Sequence, residues 1–195
     1  MSNDPLHPFP DASLEPVPLS ELLRLYADVD EIVFTRHCGF DGPAIADLCR
    51  SARRLAHSLR SHYQARSAAE VARIYGIEIV HESWQVAEDR VLYLAECTLR
   101  PPKISLNAGA IGLLAERMHD LTEEGEKVWF TEAKITEVAL AHELYHIIEQ
   151  RSSRRAAELA AHAFAREFAG LLFSPLLYGV LLARVAKGRR RGRMN

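Results

Sequence analysis

A helix that is apolar nearly all the way round has one stable place in a folded chain, the interior, and residues 132–150 (EAKITEVALAHELYHIIEQ) make up such a helix. Thr131 stands where an N-cap is expected. Val138, Ala139, Leu140, Ala141, Leu144, Ile147 and Ile148 leave no polar face around its C-terminal half. Yet His142, Glu143 and His146 lie inside that half, where unpartnered polar groups are costly. A metal ion gives them a reason. Positions i and i+4 share a helix face, so both imidazoles can direct a nitrogen at one ion, and Glu143 stands close enough to take a proton from a water on it. Two histidines and one carboxylate hold Zn2+ with a fourth position open to water, whose pKa the ion lowers to about 7.

The motif requires a third protein ligand. Glu158 follows His146 in RRAAELAAHAFAREFAGLLF. A turn at residues 151–154 lets this second helix fold back antiparallel, with its first turns alongside the histidines. His162, one turn further along the same face, is the competing ligand or a group behind the ligands. Glu149 reads as a solvent or turn residue.

The rest of the chain reads as α+β: a mostly helical single domain with a small three-stranded sheet packed on the His-Glu-x-x-His helix. Five of the nine prolines fall in residues 1–18, a flexible arm without regular structure. Residues 19–66 form an N-terminal helical extension: Ser20 caps a helix bearing Leu22, Leu25, Tyr26, Val29 and Val33, and a longer helix opens at Pro43. The main domain spans 67–187. It begins with a short helix stopped by Gly76. Three strands follow, over 77–84, 90–97 and 103–107, and Ile77, Ile79 and His81 alternate in the first. Helices are expected over 110–121, from Thr131, over 154–172 and from Pro175. Residues 188–195 are a basic, solvated tail.

Several segments, in order, resemble the ImmA/IrrE family of zinc metallopeptidase domains: AAEVARIYGIEIV, then ISLN at 104–107, HELYH at 142–146, and ELAAHAFAREFAGLLFSP at 158–175. The resemblance runs from Ala68 to Pro175. It implies His142, His146 and Glu158 as zinc ligands, Glu143 as general base, and a specific protein such as a transcriptional regulator as substrate. The chain departs from the family pattern in having Tyr145 where glycine is usual, His162 where asparagine is usual, and a shorter interval between His146 and Glu158.

Other classes find less support. A net charge of −2 leaves no global field for nucleic acid, and the arginines of the helix near 43–62 read as a solvated face opposite an apolar stripe. The uncharged run from Phe168 to Ala183 is too short to span a bilayer and contains Pro175, so it reads as buried helices. Cys38, Cys49 and Cys97 show no CxxC spacing and read as buried free thiols, and no secretory signal is visible, so a cytoplasmic location is expected. The expected activity is hydrolysis of a peptide or protein, with Tyr145, His162 or Tyr178 as candidates to stabilise the oxyanion. The strand at 103–107 or 90–97 is expected at the sheet edge, aligning the substrate. The competing reading is a zinc-stabilised regulatory or protein-binding module without peptidase activity.

Overall fold

The computed structural model describes residues 19–27, 42–84, 93–149 and 154–183. Its elements run α1 (Leu19–Tyr26), α2 (Gly42–Tyr63), α3 (Ala68–Ile74), β1 (Glu78–Glu82), β2 (Ala95–Leu99), β3 (Pro102–Asn107), α4 (Ala108–His119), a 3-10 turn (Lys127–Phe130), α5 (Glu132–Ile148) and α6 (Arg154–Ala169). A last helix, α7, covers residues 176–183. The fold is α+β and mostly helical, with one small mixed sheet.

Helix α5 is the hub. The Thr131 hydroxyl caps it by accepting the Lys134 amide, and Ile135, Val138, Ala141, Leu144 and Tyr145 are buried along it. It packs against α3, α4, α6, β2 and β3, so its apolar residues find partners on every side. Helix α6 lies between α5 and α2. Ala160, Ala161, Ala163 and Ala165 are fully buried on α6, and such small side chains let helix axes approach closely. Helices α1 and α2 of the N-terminal extension take part in this packing. Leu22, Tyr26, Cys49, Ala52 and Ala56 belong to the same continuous core as the helices that follow.

Two glycines end helices in the same way. Gly76 and Gly170 take positive φ (67° and 65°), a region open to glycine at little cost. Around each, paired backbone bonds close a Schellman turn: Ile77 to Ala72 with Gly76 to Arg73, and Leu171 to Arg166 with Gly170 to Glu167. The Lys134 ammonium, reaching from α5, adds a bond to the Ala169 carbonyl at 2.9 Å. The expected run of buried helices at the C-terminal end is present. Phe168, Phe173, Leu177 and Leu182 are buried, and no helix among the described residues is long and apolar enough to cross a membrane.

The sheet has the order β1-β3-β2, with β1 parallel and β2 antiparallel to β3. This corrects one expectation. The strand at 103–107 is central, and Ile104, Ser105, Leu106 and Asn107 are all buried, so β2 is the edge beside α5. The strand expected at 90–97 is found at Ala95–Leu99; residues 85–92 lie outside the described residues. His81 is exposed and does not share the burial of Ile77. Ser20 is not a cap either. Helix α1 begins at Leu19, because Leu19, Leu22, Leu23 and Tyr26 make one stripe against the core. The continuation of that helix expected to Val33 lies outside the described residues from 28 onward.

Asn107 joins three of these pieces. Its side-chain oxygen accepts the Ala110 amide to cap α4, its side-chain nitrogen donates to the Tyr93 carbonyl, and its own amide donates to Leu94. The residue is buried, so each lost bond leaves a group that water cannot satisfy. Asn107→Ala is expected to lower unfolding stability by about 1–3 kcal/mol in urea titrations. Asn107→Ser, which keeps a capping oxygen without setting a buried charge against the Tyr93 carbonyl, should lose less; equal losses would remove the cap from this account.

Candidate metal centre

Two closely packed helices, α5 and α6, carry the polar cluster. His142 and His146 stand one turn apart on α5, and their Nε2 atoms are 3.1 Å apart. Glu158, in the second turn of α6, brings one carboxylate oxygen to 3.3 Å from His142 Nε2 and the other to 3.5 Å from His146 Nε2. All three donor atoms lie within 4.8 Å of one another. The arrangement passes a simple test of fit. Donors bound tetrahedrally at about 2.0–2.1 Å stand about 3.3–3.4 Å from each other, close to the separations found here. The donor set is also of the kind that zinc takes, two imidazoles and one carboxylate. The side chains of His142 (15% exposed), His146 (18%) and Glu158 (32%) are open to solvent from one side, so the cluster is not sealed.

Electrostatics in the cluster are strong. Burial by itself would raise the Glu158 pKa, but hydrogen bonds and charge from His142 and His146 outweigh it and hold the carboxyl well below the usual range. Glu158 is therefore an anion throughout the neutral range, as a ligand must be.

The competing ligand is placed as well. Among the described residues the cluster contains Glu158 and not His162. The His162 ring packs behind His142, with centroids 4.6 Å apart, and its Nδ1 is buried without a hydrogen-bond partner. Burial, followed by the charge of His142, pushes the His162 pKa well below its ordinary value.

Two of the residues considered for the oxyanion face elsewhere. Tyr145 is buried against Phe164, and its hydroxyl lies near Glu149 and Cys49 of α2. Two residues along a helix correspond to about 200° of rotation, which turns Tyr145 away from the face of Glu143. Burial pushes its pKa up to about 12. Tyr178 is fully buried, stacked edge-on to Phe130 and Phe173, and donates its hydroxyl to the Trp129 carbonyl. Neither phenol is placed to meet a substrate at the cluster.

Cys97, which reads from the sequence as a buried thiol, is only partly buried. It stands on β2, the strand that packs against α5. Burial, then Glu143, pushes the thiol pKa up. Alternation along the strand shows that Cys97 shares a face with Ala95, but the sequence does not reveal that α5 lies under that face. Comparison of the chain with protein-family models, with curated proteins and with solved structures finds no match.

The His162 environment has a consequence for pH. The unfolded chain takes up a proton on His162 near pH 6.5, while the folded one does so only well below that. Under acid conditions the unfolded state thus binds the extra proton, and stability falls as pH drops below about 6.5. In metal-free protein, His162→Asn should make the loss of stability between about pH 7.5 and about pH 5.5 shallower than in the parent. Parallel pH profiles for the two proteins would contradict the buried neutral ring.

Proposed function

We propose that the chain is a zinc metallopeptidase of the ImmA/IrrE kind, with His142, His146 and Glu158 as the metal ligands and Glu143 as the general base. The observation that carries this reading is the convergence of three donor atoms from α5 and α6 at ligand spacing, with a fourth polar residue, Glu143, on the same helix. A site that served structure alone would have no use for that carboxylate. A bound zinc ion supplies Lewis-acid polarisation of a scissile carbonyl and acidification of the attacking water.

The chain's own residues do the remainder. His142 and His146 are oriented by a shared helix face, and Glu158 supplies the anionic donor from a rigid neighbouring helix. Glu143 accepts the proton of the attacking water and delivers it to the leaving amine. Among the described residues the outer edge of β2, next to α5, pairs with no strand, and it offers main-chain groups along which an extended peptide can lie. The substrate proposed is a peptide or a protein, and by resemblance a transcriptional regulator, in the cytoplasm.

The second reading is a metal-stabilised regulatory or protein-binding module, in which Glu143 takes no part in chemistry.

The two readings separate on Glu143→Gln. With zinc loaded and a proteome-derived peptide mixture as substrate, the parent should generate new peptide termini visible by mass spectrometry. Glu143→Gln should bind zinc equally and cleave at least about 10²-fold more slowly, the usual contribution of a general base. Undiminished cleavage by that variant, or no cleavage by the zinc-loaded parent, would remove the peptidase assignment.

A further inference from the structure

The last turns of α2 and α6 meet at an open cleft of about 340 Å³, at the small end of the range that holds small molecules. His57, Arg60 and Ser61 of α2 line it, with Gln64 just past the end of that helix and Glu167 of α6. The Arg60 guanidinium is anchored. One N–H donates to the Phe168 carbonyl at 3.0 Å, and the group sits 5.8 Å from the centre of the Phe168 ring. A guanidinium has five N–H donors, so most remain for another acceptor. Glu167 stands next to that anchor in the chain, yet among the described residues its carboxylate has neither an ion pair nor a hydrogen bond. A held cation and an unpaired anion thus line one cleft without bridging it. Gln64 adds a separate observation. Gly76 and Gly170 close their helices at positive φ, whereas α2 closes on Gln64 at φ 49°, with the Ala65 amide bonded to the Arg60 carbonyl. A side chain is disfavoured at that backbone setting, and its presence there points to a use for the glutamine amide that lines the cleft.

We propose that this cleft binds a free α-amino acid with a polar side chain. The ligand carboxylate pairs with the remaining N–H groups of Arg60, whose planar fork can engage two oxygens at once. The ligand ammonium meets Glu167, and the negative C-terminal ends of α2 and α6 favour a cation in the same place. Ser61 and Gln64 offer a hydroxyl and an amide to the polar side chain. The site is independent of the metal centre, none of whose candidate ligands lines the cleft.

Amide chemical shifts of the isotope-labelled full chain, titrated with L-glutamine, L-serine and L-aspartate, test the site. N-acetyl-L-glutamine, which lacks the ammonium, and L-glutaminamide, which lacks the carboxylate, serve as blocked probes. The expected result is a saturable shift at the cleft residues with at least one free amino acid. Each blocked form should bind about tenfold more weakly or worse, the loss of one charge-assisted contact. Glu167→Gln, an exposed substitution, should keep a folded spectrum and weaken the free amino acid by a similar factor. Gln64→Gly should raise the urea unfolding midpoint and yet weaken binding, a combination that a purely structural glutamine would not give. No saturable shift with any of the three amino acids, or shifts confined to other parts of the chain, would overturn the proposal. Blocked forms that bind as well as the free amino acid, or undiminished binding by Glu167→Gln, would overturn it equally.

Discussion

The pairing of α5 with α6 is the constraint on which the structure turns. Helix α5 is enclosed by three helices and two strands, and yet it carries two imidazoles and a carboxylate. In such surroundings polar groups must find partners or cost several kcal/mol, on the order of 2–7 each by transfer from water. The partner for the histidines comes from α6, whose buried alanines allow the approach that sets Glu158 3.3–3.5 Å from both rings. Larger residues along α6 would hold the helices apart, and the three donors would not converge.

The same closeness sets the chemistry. A carboxylate between two imidazoles is held in its charged form, while the histidine behind them is kept neutral by burial. One side of the cluster therefore offers donors ready for a cation, and the other adds no competing charge. His162 is best understood as support. Its ring backs His142, and its orphaned nitrogen marks it as the least satisfied polar group among the described side chains. Beside the cluster, the edge strand β2 packs on α5 and carries Cys97, whose thiol pKa is raised by burial and then by the charge of Glu143.

Much of this was legible in the chain. The Thr131 cap, the all-round apolar helix with His142 and His146 one turn apart, the Gly76 stop and the return of Glu158 all follow from local pattern and spacing. What escaped depends on tertiary placement. Strand order is not encoded in alternation, so residues 103–107 looked as fit for an edge as β2, and their burial on both faces shows only in the sheet. Tyr145 and Tyr178 are near the site in sequence, but helix rotation and the aromatic cluster of Phe130 and Phe173 direct them into the core. Cys97 was legible as a strand residue and not as one that feels the charge of Glu143, because the two stand 46 positions apart and their approach depends on which helix the sheet covers. That α2, within the N-terminal helical extension, packs on α6 is likewise a matter of tertiary placement that local pattern does not carry.

The central claim is that α5 and α6 together hold one divalent ion through His142, His146 and Glu158. Zinc titration of the metal-free chain, followed by its effect on the urea unfolding midpoint, tests this most directly. Binding to the folded state alone should raise stability by about 2.7 kcal/mol when free zinc is about 100 times its dissociation constant. The parent should show that gain with one ion per chain, and Glu158→Ala should show none at the same free zinc. A parent indifferent to zinc, or a Glu158→Ala protein stabilised as much as the parent, would contradict the account.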